Sequence, residues 1–321
     1  MPLYAEKLKS IKVLDPACGS GAFLVEVFNY LQNEWLDLSQ TLQKLGDNAE
    51  NGLFSYANLY KDILQNNIFG VDLNSESVQI TKLSLWLKTA NSRDELTTLD
   101  NNIKVGNSLI DNTSFDAKAF DWQKEFPQVF CNSSTNGGFA KGFDVVVGNP
   151  PYVRQELFSN LKPALQQKYA VYTGAADLYC YFYEQATNLL KANGKLGFIT
   201  SNKWMRTNYG EPLRKFILAN TKIESFVDLG GQVYQKTPAE NYQFKTSNNL
   251  TDFTIFASNN LDAKCFNIES NNLARQMKAK IEKIGTPLKN WDVKINRGIL
   301  TGFNEAFIMA LLNSKFVLIF C

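Results

Sequence analysis

The chain has 321 residues, 45% hydrophobic and 20% charged, with a formal net charge of +2; this excludes an extended disordered chain and leaves one or two globular domains with a sizeable core. Histidine is absent, which removes imidazole general bases, histidine-activated nucleophiles and most zinc chemistry together. The five cysteines (Cys18, Cys131, Cys180, Cys265, Cys321) are scattered and form no C-x-x-C pair, so no disulfide framework or metal site is indicated and a cytoplasmic setting is expected.

The first residues, "MPLYAEKLKS", carry charge and lack the apolar segment of a signal peptide. Short apolar, β-branched runs then recur between helical patterns: "IKVLD", "NIFGVDL", "NIKVG", "FDVVVG", "KLGFIT", "IESFVDL" and "LTDFTIFA". That alternation predicts an α/β fold, a mainly parallel sheet with helices on both faces. A helix is expected over residues 21–37, a second beginning at an N-cap on Ser75 and running through "ITKLSLWLK", and a third in "DLYCYFYEQATNLLKANG", whose final glycine suits a C′ position. Residues 111–140 are polar and end Gly-rich, as in an inserted surface excursion. From about residue 262 a basic stretch begins, Lys264 to Arg297, which reads equally as a domain boundary with an anion-facing surface or as a solvated helix around "RQMKAKIEKIG". The apolar tail "FIMALLNSKFVLIFC" is broken by Asn313, Ser314 and Lys315 and is too short to span a bilayer. It reads as a buried element or a truncation end, and no membrane partner is expected.

Four strand ends carry chemistry. In "VLDPACGSGAFL", Asp15 closes a strand and Gly19 and Gly21 allow close approach of a ligand to the backbone. A pyrophosphate wants a bare positive helix end, whereas a carboxylate at this junction suits a cationic ligand such as the ammonium group of S-adenosylmethionine. Asp72, ending "NIFGVDLN", stands where an acid accepts hydrogen bonds from ribose hydroxyls, and in "VGNSLI" Asn107 can recognise an adenine amine while Ser108 and Leu109 line the ring. In "NPPY", the Asn149 side-chain oxygen and the Pro150 carbonyl can both accept from a planar exocyclic amine, with the Tyr152 ring stacked on its base. Pro150 and Pro151 stiffen this loop and remove competing donors. Two fixed acceptors favour the positive charge that develops on the nitrogen as it attacks a methyl group in line.

On these motifs, together with "FDWQKEFPQVF", "GAADLYCYF", "GKLGFITSNKW" and "INRGILTGFNEAF", the chain resembles the γ-class N6-adenine DNA methyltransferases. The likeness is strongest to the methyltransferase portion of type IIG restriction-modification enzymes and runs from about Val13 to Phe307. The resemblance implies a Rossmann-like seven-stranded sheet with an added antiparallel strand, S-adenosylmethionine as methyl donor, and an adenine flipped out of double-stranded DNA. It implies cofactor binding by Asp15, Ala17, Cys18, Gly19, Ser20, Gly21, Asp72, Leu73, Asn107 and Ser108, and catalysis by Asn149, Pro150, Pro151 and Tyr152, without a metal. Tyr234 or Phe253 would supply a second ring on the base. Against the family pattern, the segment before the first motif is short, no target-recognition region follows "GFNEAF", and no nuclease region is visible. The expected division is a catalytic domain over 1–262 and the start of a truncated recognition region over 263–321, with a separate specificity domain or subunit as partner. The readings left open are N-P-P-Y methylation of protein glutamine or RNA guanine, and a noncatalytic remnant that binds cofactor or DNA only.

Overall fold

The computed structural model describes residues 2–44, 56–89, 98–130, 142–223, 225–228, 254–256 and 316–320. The chain opens with helix α1 (Pro2–Ser10), strand β1 (Val13–Asp15) and the long helix α2 (Ala22–Lys44). On α2, Leu24, Phe28, Leu31, Trp35 and Leu38 are all buried, the i, i+4, i+7 spacing that lays one stripe against a sheet. Each such side chain contributes roughly 1.5–3 kcal/mol by leaving water. Helix α3 (Tyr56–Asp62) passes into a single π turn, Ile63–Asn67, ahead of β2 (Ile68–Asp72). Wide turns of this kind leave carbonyls to satisfy. Buried Asn102 donates to Leu64 O, Gln65 O and Ile68 O, and buried Asn67 donates to Leu8 O and Ile11 O.

Helix α4 (Ser75–Thr89) leads to β3 (Ile103–Val105). Its cap is Asn74, whose Oδ1 accepts from Glu76 N at 2.7 Å, so Ser75 is the first helical residue and not the N-cap expected from sequence. The predicted excursion after β3 contains two short helices, α5 (Trp122–Glu125) and α6 (Pro127–Phe130), before β4 (Phe143–Gly148). Its polar residues lie at the surface, but Phe120, Trp122 and Phe126 are buried: Phe126 packs edge-on with Phe69 and Phe143 of the sheet, Trp122 edge-on with Phe143, and Phe120 edge-on with Trp122. Residues 131–141 lie outside the described residues.

After β4 come a 3₁₀ segment (Gln155–Leu161), α7 (Lys162–Lys168), α8 (Tyr179–Leu189) and β5 (Leu190–Ser201). Helix α8 stops at Leu189, five residues before the glycine expected to end it; Leu190 is already extended and paired with Phe143. The register then shifts, the next pair being Val145 with Lys195, and Asn193 takes a positive φ of 64° in the bulged stretch between. Helix α9 (Glu211–Asn220) and strands β6 (Ser225–Asp228), β7 (Thr254–Phe256) and β8 (Phe316–Phe320) complete the described elements.

The sheet order is β3-β2-β1-β4-β5-β8-β6-β7. Strands β1 to β5 pair in parallel, and β8 lies antiparallel between β5 and β6. The expected α/β fold with a mainly parallel sheet is present, but with eight strands among the described residues, not seven. The extra one is β8, from the apolar tail, added to the seven runs read from sequence. One core packs α1, α2 and α4 on one face of the sheet, and a second packs α5 to α9 on the other. Burial on both faces is why the strands read as continuous apolar runs without alternation. Because the chain winds outward from β1 to β3 and then crosses back to β4, the ends of β1 and β4 diverge around a crevice, where open α/β sheets bind their ligands.

Candidate active site

Asp15 ends β1 and is buried, 1% exposed. Its Oδ1 accepts from Ala17 N at 3.0 Å, which starts the turn leading to α2. The turn is held from three sides: Cys18 N donates to Val71 O, Gly19 N to Asp72 Oδ2 at 2.9 Å, and the Thr81 hydroxyl to Gly19 O at 2.8 Å. Gly19 and Gly21 have φ of 53° and 85°, the left-handed region that glycine enters without penalty. A Cβ on Gly21 would also lie 2.8 Å from the Thr81 methyl. Cys18 is buried, and burial pushes its thiol well above the ordinary range, so it packs and does not act as a nucleophile. Ser20 is exposed at the tip of the turn.

The Asp72 carboxylate is held by two amides, Gly19 N on one oxygen and Asn74 N on the other at 2.8 Å. Each oxygen keeps lone pairs for a further donor. Between the ends of β1, β2, β3 and β4 lies a cavity of about 370 Å³, walled by Ala17, Asp72, Ser108, Leu109, Pro151 and Phe182, with Leu73 and Asn107 also at its edge. Pro151 and Val153 reach this cavity, while Asn149, Pro150 and Tyr152 lie on the same loop outside its lining. The wall from β3 is fixed by the Ser108 hydroxyl donating to Pro16 O and by Trp122 Nε1 donating to Ser108 O at 3.1 Å. Asn107 Oδ1 accepts from Leu109 N and its Nδ2 donates to Asp116, which leaves one lone pair and one amide hydrogen for a ligand.

The first and fourth strand ends meet. A Cβ on Gly148 would lie 2.7 Å from Asp15 Oδ1, so only glycine lets the loop carrying Asn149 start this close to the carboxylate that ends β1. Asn149 is half-buried, with its side-chain oxygen fully buried, and Pro150 is buried. Tyr152 is 40% exposed; its hydroxyl donates to Ile199 O at 3.1 Å and its ring lies 5.8 Å from that of buried Tyr179. Tyr179 in turn meets Tyr209 hydroxyl to hydroxyl at 3.2 Å. The ring is thereby presented to solvent on one side and braced on the other. Thr81, Tyr179 and Tyr209 were not singled out from sequence, although Tyr179 stands in "GAADLYCYF". Tyr234 and Phe253 fall outside the described residues.

Burial is the largest force on Asp15, pushing its pKa up to about 7, with the nearby Asp72 charge adding to the rise and the Ala17 amide opposing it. Asp15 lies buried beneath the turn, outside the cavity lining, whereas Asp72 brings a carboxylate into the wall; that pair of acids suits a ligand that brings hydroxyls and positive charge, and the apolar walls suit a flat ring. The residues present therefore fit S-adenosylmethionine. Among the described residues no group of three or more Cys, Asp or Glu could hold a metal ion, and no helix is long and apolar enough to cross a membrane.

A family model described as Eco57I restriction-modification methylase matches residues 66–234. The chain is 27% identical over 344 residues to the type II restriction enzyme and methyltransferase RM.Eco57I of Escherichia coli, covering 95% of this chain and 33% of that protein. It is 30% identical over 255 residues to the type II methyltransferase M.BstVI of Geobacillus stearothermophilus, covering 76% of this chain and 38% of that one. To the adenine-specific methyltransferase PglX of Streptomyces coelicolor it is 26% identical over 235 residues, 64% of this chain and 18% of that protein. The chain thus spans between a third and two fifths of the length of the first two relatives.

Proposed function

The chain belongs to the Eco57I restriction-modification methylase family, and on that premise we propose that it is the catalytic core of a DNA methyltransferase acting on the N6 amine of adenine within a restriction-modification system. The observation that carries this reading is the contact of Gly148 with Asp15, which sets the Asn149 to Tyr152 loop against the crevice at the first strand end. The names of the relatives, one of them adenine-specific, support the substrate and the reaction. DNA as substrate places the activity in the cytoplasm. In this reading 1–262 carries the catalytic residues and the Lys264 to Arg297 stretch of 263–321 meets DNA; residues 263–315 lie outside the described residues, whereas Phe316–Phe320 forms β8 between β5 and β6 and so belongs with the catalytic sheet.

Asp15, Ala17, Cys18, Gly19, Ser20, Gly21, Asp72, Leu73, Asn107 and Ser108 form or flank the cofactor site. S-adenosylmethionine, when bound, supplies an electrophilic methyl group on a sulfonium. Asn149 and the Pro150 carbonyl accept the two hydrogens of the target amine and draw its lone pair out of conjugation with the ring. Tyr152 receives the flipped base on its exposed face, which offsets part of the few kcal/mol that unstacking costs, roughly as for other base-flipping enzymes. Pro151 keeps the loop stiff while lining the cavity, so that one rigid segment touches both sites. No strong base is required, because an amine that has gained a methyl group and a positive charge is itself a strong acid.

Calorimetry with S-adenosylmethionine, followed by labelled methyl incorporation into DNA of mixed sequence, tests the reading. We expect the wild-type chain to bind, and Asp72→Ala to weaken binding by at least tenfold, the measure of a charge-assisted contact of about 1.5–3 kcal/mol. Asp72→Ala also releases Gly19 N and Asn74 N, so Asp72→Asn, which keeps acceptor oxygen, should lose less. Wild-type chain that takes up no cofactor at millimolar concentration would refute the assignment.

A further inference from the structure

We propose that Asp116 is a positioning residue for the cavity: its Oδ2 accepts from Asn107 Nδ2 at 2.6 Å and thereby turns the Asn107 carboxamide so that its oxygen holds the Leu109 amide in the cavity wall. This inference rests on the reading of the cavity as a cofactor site. A carboxylate can only accept and a backbone amide can only donate, so the two neighbours admit one orientation of the Asn107 carboxamide. The reverse would set oxygen against oxygen at 2.6 Å and N–H against N–H at 3.1 Å.

Asp116 acts from a segment that surrounds the same wall. Its other oxygen accepts from Lys118 N at 2.8 Å, which folds the segment back, and Lys118 O then accepts from Asn107 N at 2.6 Å. Phe120 N donates to Ile110 O at 2.6 Å, and Lys118 Nζ reaches across to Leu73 O, at the cavity edge by β2, at 3.0 Å. One short stretch therefore clasps the ends of β2 and β3, and the Asp116 carboxylate joins it to the Asn107 side chain. With one lone pair of its oxygen engaged by Leu109 N and one amide hydrogen by Asp116, Asn107 first serves the turn and keeps one acceptor and one donor site for a ligand.

The test uses the full chain with Asp116→Ala, Asp116→Asn, Asn107→Ala and the Ala/Ala double variant, and two readouts. The first is hydrogen exchange at the peptide spanning Gly106 to Ile110 without any ligand. The second is calorimetry with S-adenosylhomocysteine. We expect Asp116→Ala to speed exchange there and weaken binding, each about tenfold, a loss of about 1.4 kcal/mol. Asp116→Asn, which keeps an acceptor, should return both to within about threefold of wild type, since a neutral acceptor retains about half of a charge-assisted bond. In the Asn107→Ala background, Asp116→Ala should add clearly less than its tenfold effect in wild type, because the Asn107 side-chain contact is already gone and only the Lys118 N contact is left to remove. Unchanged exchange in Asp116→Ala, or losses that multiply in the double variant, would overturn the proposal. Wild-type chain that fails to bind S-adenosylhomocysteine would count against the proposed function, whereas the exchange measurement decides the role of Asp116 in either case.

Discussion

Asn149→Ala is expected to lower methyl transfer to adenine in duplex DNA by about 10² to 10³, the loss seen when one preorganised polar group at a developing charge is removed. Cofactor affinity should change by less than about threefold, a difference below 0.7 kcal/mol, because Asn149 lies outside the lining of the cavity. The size of the effect follows from where the acceptor sits. Its oxygen is buried on a loop that begins at Gly148 against Asp15 and continues into two prolines, so it needs no reorganisation when charge appears on the amine. Asn149→Asp keeps the acceptor and should retain more activity than the alanine variant. Single-turnover transfer from labelled cofactor, with calorimetry on the same preparations, checks both halves. A variant within threefold of wild type would remove Asn149 from the chemistry.

Asp15→Asn should separate stability from binding. The folded chain holds this carboxyl at about 7, against roughly 3.9 for an unfolded aspartate. The contribution of Asp15 to stability is therefore fully present below about pH 4 and is lost as pH rises through about 7. Asparagine does not titrate and keeps an oxygen for Ala17 N. At pH 8 the variant is expected to melt about 5 °C above wild type, a modest fraction of the ionisation penalty for a chain of this size, and the difference should shrink toward pH 5. Binding runs the other way. A cationic ligand favours the ionised carboxylate, so wild-type affinity should rise between pH 6 and 8 with release of a proton, read from calorimetry in buffers of different ionisation enthalpy. In Asp15→Asn the pH slope should vanish and affinity should fall throughout. Melting curves that stay parallel across this range would show that Asp15 does not titrate there.

The strand ends were legible because their signals are local. Buried β-branched runs such as "FDVVVG" and a carboxylate closing each of the first two strands are set by short-range sterics and by which residues tolerate burial, so Asp15, Asp72 and the Asn149 loop could be named before any contact was known. The helix limits were less secure for a physical reason. Asn74 and Ser75 are both competent caps, and the choice falls to the residue whose side chain meets the free amides, here Asn74. Gly194 is a competent helix terminator, but α8 stops at Leu189 because Leu190 is taken by pairing with Phe143.

Sequence by itself determined the parallel α/β class, the order of the strand ends and the residue types at each, since these follow from periodicity and from the chemistry of single side chains. Only the tertiary structure decided that β8 lies antiparallel between β5 and β6, that Gly148 abuts Asp15, that Tyr209 braces Tyr179 behind Tyr152, and that Asp116 orients Asn107. Most of these contacts join segments that are distant along the chain, and the last depends on one loop folding back on itself. Their partners are brought together by the winding of the chain around the sheet, and no local pattern encodes which distant donor will meet a given acceptor.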